Sequence, residues 1–144
     1  LSDLRAAIKQ CDNSTNIELL VAGKIPYEQM HEVYQLADIF EMPSKTTKTW
    51  EEQYGMVLIE AMASGLPILA YGSGAIPELL GRAGALAKEG SIDKLTKALE
   101  SLVASPEKRR KLGYAAGMRA KKLFDSRNFS LELRQLYKQV YFSL

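Results

Sequence analysis

The sequence predicts an α/β fold, with a parallel sheet covered by helices on both faces and a helical C-terminal tail. Three observations carry this. Short apolar runs at residues 17–22, 38–42 and 67–71 each end at glycine or proline, the pattern of strands buried on both faces. The segments between them have helical periodicity, and strands that alternate with helices imply a parallel sheet. Beyond residue 90 the apolar residues fall at helical spacing, and turn signals separate three segments.

In chain order, residues 2–10 read as a short helix and 11–16 as a loop. The run IELLVA at 17–22, closed by Gly23, is the first strand. Pro26 suits the first turn of a helix with Met30, Val33, Tyr34 and Ala37 on one face. Residues 38–42 form a strand running into Pro43-Ser44, and a polar loop covers 45–51. A helix follows from Gly55 to Gly65, then a strand at 67–71. The glycine turn Gly72-Ser73-Gly74 leads into one short helix, and residues 83–88 are a last short strand. Ser91 caps a helix with Ile92, Leu95, Leu99 and Leu102 inward. Ser105-Pro106 opens another with Leu112, Ala115, Ala116, Leu123 and Phe124 inward, and residues 131–142 are the third. The basic stretches at 107–111 and 119–122 fall on the outer side of the second and read as a solvated face.

Composition narrows the function. A chain of 144 residues fits one domain of ordinary size or part of a larger two-domain protein. Hydrophobic content of 47%, charged content of 25% and a net charge of +2 lack the basic excess of a nucleic-acid binder. Cys11 is the only cysteine, so no intrachain disulfide is available and a reducing, cytoplasmic setting is expected. A single histidine, His31, gives no zinc-ligand cluster, and no metal is expected. No run of about 18 apolar residues predicts a membrane span, and the two Asn-x-Ser/Thr patterns, at Asn13 and Asn128, read as chance.

The chemistry concentrates in WEEQYGMVLIEAMASGLP, residues 50–67. From Met56 to Ala63 every side chain is apolar except Glu60, and a helix apolar all round is normally buried. A carboxylate left unpaired in a core costs several kcal/mol, so Glu60 needs a partner. With the helix starting near Gly55, Glu60 lies roughly 7 Å along its axis, close to the mouth. The free amides of Gly55, Met56 and Val57 are expected at that mouth, where unpaired N–H groups and the helix dipole favour an anion. Glu52, just upstream, can accept hydrogen bonds from hydroxyls beside the anion, as Glu60 can from a second set. The pair describes a ligand that is part phosphate and part polyol. The other reading stands beside it: Glu51 and Glu52 complement the helix dipole, and Glu60 pairs with a basic side chain across the core. A glycosidase pair would need its carboxyls about 5 to 9.5 Å apart across one bond, which nothing here fixes.

Gly72-Ser73-Gly74 does not complete a dinucleotide fingerprint, because Pro77 stands at the sixth position. Either the turn lets backbone amides approach a ligand or it is a plain tight turn. His31 belongs to no metalloprotease pattern and reads as an ordinary helix histidine.

These stretches together, with ADIF at 37–40, Pro43-Ser44, GSGAIPE at 72–78, Ser105-Pro106 and Tyr137, resemble the C-terminal domain of group 1 (family 4) retaining glycosyltransferases. The most specific part is the Glu-x7-Glu spacing of Glu52 and Glu60 joined to Tyr-Gly and Glu-Ala-Met-Ala-x-Gly-x-Pro. The resemblance implies a Rossmann-like donor-binding domain of a two-domain, double-Rossmann enzyme that transfers a sugar from a nucleotide-diphosphate sugar to a glycan, lipid or small-molecule acceptor. It implies that Glu52 is the catalytic residue and binds the donor sugar, with Tyr54, Gly55, Met56 and Val57 around sugar and diphosphate. Glu60 takes the ribose, and the turn Gly23-Lys24-Ile25 reads the base. No cofactor or metal is implied beyond the donor substrate, since no Asp-x-Asp motif is present. Catalysis through an oxocarbenium-like transition state leaves the protein chiefly to hold charge in place.

The resemblance also implies what lies outside these residues: an N-terminal acceptor domain, and the first strands of this domain with their diphosphate-clamping arginine and lysine. The chain alone is therefore expected to be inactive. Peripheral membrane contact is compatible with lipid-linked acceptors. A sugar epimerase or phosphorylase of the same fold, and a non-catalytic Rossmann-like binding module, are the alternatives. The first needs further catalytic acids and a histidine. The second needs a blocked helix mouth.

Overall fold

The computed structural model describes residues 18–142. Two units, Leu1–Met30 and His31–Leu144, make up the chain.

In the first unit the expected strand is not formed. Residues 18–26 take no regular structure, and Leu20 and Val21 are exposed, while Ile17 lies outside the described residues. An apolar run supplies side chains for a core but not the neighbouring backbone that a strand must bond to, and among the described residues of this unit no strand offers one. The helix read at 2–10 and the loop at 11–16 lie outside the described residues. Pro26 instead opens a 3-10 turn, Tyr27–Gln29, in which Gln29 N–H donates to Pro26 O at 3.0 Å.

The second unit carries the sheet. Helix α1 (Met30–Leu36) precedes β1 (Phe40–Met42), α2 (Met56–Ala63), β2 (Ile68–Tyr71), α3 (Ile76–Leu80), β3 (Ala85–Ala87), α4 (Ile92–Val103), α5 (Pro106–Phe124) and α6 (Ser126–Phe142). The strands run parallel in the order β1-β2-β3, with Phe40 opposite Ile68 and Leu69 opposite Ala85. All four residues of β2 are buried. Because successive side chains of a strand point to opposite faces, this means that both faces of the sheet are covered, as expected from the run's unbroken apolar character.

Helix α1 buries only Tyr34, and Val33 and Ala37 are exposed. α4 is capped by the Ser91 side chain, which accepts from Lys94 N–H at 3.4 Å, and it buries Leu102 fully. Ile92, expected inward, is 71% exposed because it sits in the first turn, before the helix reaches its neighbours. α5 meets α2 through Gly113, Ala116 and Ala120 rather than through its large residues. A Cβ at Gly113 would collide with the Gly65 carbonyl at the end of α2, so the two backbones come closer than any larger residue allows. Leu123, read as inward, is exposed for the same reason: the seam follows the small residues.

The basic face of α5 also departs from expectation. Arg109 donates to the carbonyls of Leu102 and Val103 at 2.8 and 2.9 Å, at the end of α4. Arg119 donates to Leu79 and Glu78 carbonyls at 2.6 and 2.7 Å, at the end of α3. Both guanidiniums occupy helix C-termini, where unpaired carbonyls and the dipole favour a cation. They fasten helices and are not merely solvated.

Candidate functional site

In a parallel sheet all strands end on one side, and ligands of open α/β folds bind in the loops at those ends. Here the three loops after the strands are tied to one another. The loop after β1 reaches the other two through Thr46, whose Oγ1 lies 2.9 Å from Ser73 Oγ in the turn after β2. Thr46 N–H also donates to Glu89 Oε1, after β3, at 2.5 Å. Ser73 is 1% exposed, a buried hydroxyl with its partner in place.

This bracing reaches Glu52. Ala75 N–H donates to Glu52 O at 2.8 Å, and a Cβ on Gly74 would collide with that same carbonyl oxygen. Gly74 has φ +50°, so both its backbone angle and the lack of space require glycine. The Ala75 amide just after the turn and the missing side chain of Gly74 receive the backbone of Glu52. The turn holds the carboxylate's own backbone.

The Glu52 side chain folds toward α2. Its Oε1 accepts from Gly55 N–H at 2.8 Å, which satisfies one of the donors left open at the start of the helix. The Gly55 amide is therefore occupied, contrary to expectation. Gly55 itself is buried with φ +60°, and a Cβ there would lie 2.8 Å from Leu79 Cδ1. The positive φ, more than the contact with the tip of a flexible leucine, calls for glycine there. The N–H groups of Met56 and Val57 have no acceptor among the described residues, and the two residues are 52% and 45% exposed. A helix expected to be buried all round is open at its first turn, because α5 and β2 cover only the side bearing Leu58, Ala61 and Met62.

Glu60 lies one turn further in and is half-buried. Tyr34 O–H donates to its Oε2 at 2.9 Å, so the partner across the core is a neutral hydroxyl. Among the described residues no lysine or arginine pairs with Glu60. Its other oxygen, Oε1, has no partner among them. Tyr54 is 62% exposed, and a groove of about 630 Å³ is lined by residues 47–54, including Glu52 and Tyr54. Glu60 does not line that groove.

The structure thus places Glu52, Tyr54, Gly55, Met56 and Val57 at the start of α2, and Glu60 in the middle of the helix, outside the groove that Glu52 and Tyr54 line. Gly23, Lys24 and Ile25 belong to the other unit, where Gly23 has φ +70° with open space around it and Lys24 is exposed. Sequence reasoning missed the supports: Tyr34, read only as a core position, and Thr46, Ser73 and Gly74. A single signal was available for one of them, since a buried tyrosine normally needs a partner for its hydroxyl.

Residues 2–119 match the family described as Glycosyl transferases group 1. Over 107 residues the chain is 38% identical to the GDP-mannose-dependent monoacylated alpha-(1-6)-phosphatidylinositol monomannoside mannosyltransferase of Corynebacterium glutamicum, covering 72% of this chain and 28% of that protein. It is 30% identical over 125 residues to the sulfoquinovosyl transferase of Arabidopsis thaliana, covering 83% and 23%. Among solved structures, sucrose-phosphate synthase from Thermosynechococcus elongatus superimposes with a TM-score of 0.77 at 25% identity, over 99% of this chain and 35% of that one. The chain thus spans about a quarter to a third of the length of these proteins. With the match extending over most of its residues, the chain belongs to the group 1 glycosyl transferases.

Proposed function

We propose that this chain is the donor-binding part of a retaining glycosyltransferase that moves a sugar from a nucleotide-diphosphate sugar to a glycan or lipid-linked acceptor. The observation that carries the reading is the arrangement over the first two turns of α2 and the residues just before them. Glu52 and Glu60 each have one oxygen held by the protein, and two N–H groups between them have no acceptor among the described residues. Such a site offers acceptors for hydroxyls on either side of donors for phosphate.

In this reading the amides of Met56 and Val57 take diphosphate oxygens, with Tyr54 and Gly55 beside the sugar. Glu52 holds the sugar hydroxyls and stabilises positive charge developing at the anomeric carbon, and Glu60 holds the ribose. Base reading is assigned, on resemblance alone, to Gly23, Lys24 and Ile25. The acceptor is assigned to a further domain. Mannosyl transfer to a phosphatidylinositol mannoside, named for the corynebacterial relative, supports a lipid-linked acceptor and peripheral membrane contact. Among the described residues no helix is long and apolar enough to cross a membrane.

The test uses the full-length protein and a panel of nucleotide sugars, with the linkage of each product determined. Glu52→Ala is expected to lower transfer by about 100-fold or more, the scale of losing a charge-stabilising group, while free nucleotide affinity moves by less than about threefold. Equal losses in the two measurements overturn the assignment of Glu52 to the sugar.

A further inference from the structure

We propose that Tyr34 is the positioning residue for Glu60, turning its free oxygen toward the ligand and so setting the preference for a ribose over a deoxyribose. The inference rests on the reading of Glu60 as the ribose-binding carboxylate. Tyr34 and Glu60 stand 26 positions apart, on α1 and α2, and meet through one hydrogen bond of 2.9 Å.

Each partner is constrained differently. Tyr34 is 6% exposed, and its ring lies edge-on to Phe40 of β1 with centroids 6.0 Å apart, so the phenol is held by the core on its apolar side. Glu60 is half-buried on a helix whose next residues, Ala61 and Met62, are fully buried, so its backbone is anchored by the core. What stays variable is the carboxylate's own torsion, which is broad for a terminal planar group. A donor on Oε2 removes that freedom. With Oε2 occupied, Oε1 is the oxygen left to accept from a vicinal diol, already oriented before the ligand arrives.

A hydroxyl serves here where an arginine would not. An ion pair would occupy both oxygens and neutralise the charge, whereas a phenol takes one and leaves the carboxylate anionic. The tyrosine contributes orientation without competing for the ligand.

The experiment compares Kd values, by calorimetry on the full-length protein, for GDP and UDP and for their 2′,3′-dideoxy counterparts. Wild type, Glu60→Ala and Tyr34→Phe are measured with whichever nucleotide binds more tightly. Tyr34→Phe keeps the ring against Phe40 and removes the hydroxyl. It is expected to weaken binding of the ribonucleotide by about 3- to 10-fold, the range of a single net hydrogen bond, with dideoxynucleotide affinity unchanged. Glu60→Ala is expected to abolish the preference.

Three results overturn the proposal, and they separate its parts. If Glu60→Ala keeps the preference, the ribose reading fails and takes the positioning role with it. If Glu60→Ala loses the preference and Tyr34→Phe keeps it, the ribose reading stands and Tyr34 is not the positioning residue. If Tyr34→Phe weakens both ligands equally, or loses both, Tyr34 holds the fold and does not orient the carboxylate.

Discussion

Helices α2 and α6 both carry many apolar side chains and end in opposite environments. In α2, eight residues long, Leu58, Ala61 and Met62 are 0% exposed. In α6, seventeen residues long, no residue is buried, and Phe129, Leu136, Tyr137 and Tyr141 are all more than half exposed. Apolar content differs, seven residues of eight in α2 against eight of seventeen in α6, yet those eight would suffice to cover one face of α6 and none of them is buried. The difference lies in what faces each helix: α5 presents a stripe of glycine and alanine to α2, and α2 docks on it and on β2. Burial follows from a complementary surface. The consequence for function is that α2 is rigid along one side and open at its first turn, the combination a preorganised site needs.

The sharpest way to break this contrast is at the seam. Gly113→Val places a branched side chain against the Gly65 carbonyl, which is backbone and cannot swing aside. A loss of about 3 kcal/mol or more is expected, seen as a large drop in the chemical unfolding midpoint. A neutral outcome would mean that α5 does not press on α2. Next comes the fastening of α3, the helix that follows the turn holding Glu52. Arg119→Ala removes two guanidinium bonds to carbonyls from a half-buried group, and about 1 to 2 kcal/mol is expected once partial exposure is allowed for. Arg119→Lys should recover only part of it, because one ammonium does not reproduce the planar fork.

The junction before α6 gives a smaller effect, read through pH. Asp125 accepts from the Arg127 side chain and its N–H, which lowers its pKa from 3.8 to about 2. A carboxyl with a lowered folded value adds stability above its unfolded pKa and loses it as pH falls through the folded one. Wild type should therefore lose its advantage over Asp125→Ala between pH 3.8 and about 2, by thermal unfolding at each pH. Smallest of all, Leu136→Ala on α6 is expected to change stability by less than about 0.5 kcal/mol, as for an exposed site. A loss of several times that size would show that α6 is covered in the whole protein and would erase the contrast with α2.

Much of this was legible in the sequence, for reasons that can be named. β2 and α2 were readable because unbroken apolar runs and flanking glycines are local signals. Ser91 and Ser105 were readable as caps because capping is a three-residue event. The run at 17–22 was misread because the pattern reports side chains, whereas a strand is made by backbone pairing. Arg109 and Arg119 were misread because a charge on a helix face looks the same in sequence whether water or a carbonyl of another helix lies beyond it.

The site divides along the same line. Sequence alone determined which groups are present: two carboxylates at fixed spacing, Gly55 between them, and a helix that starts where anions are favoured. Those are properties of covalent order and of the helix, so they survive in a string of letters. Only the folded structure decided how the carboxylates are held. It gave Glu52 the Gly55 amide and the Gly74 turn, gave Glu60 the Tyr34 hydroxyl, and left one oxygen of each without a protein partner among the described residues. The Glu52–Gly55 bond spans only three residues, but the Gly74 turn and the Tyr34 hydroxyl come from elsewhere in the chain, and hydrogen bonds between distant residues form only after the core has fixed their positions.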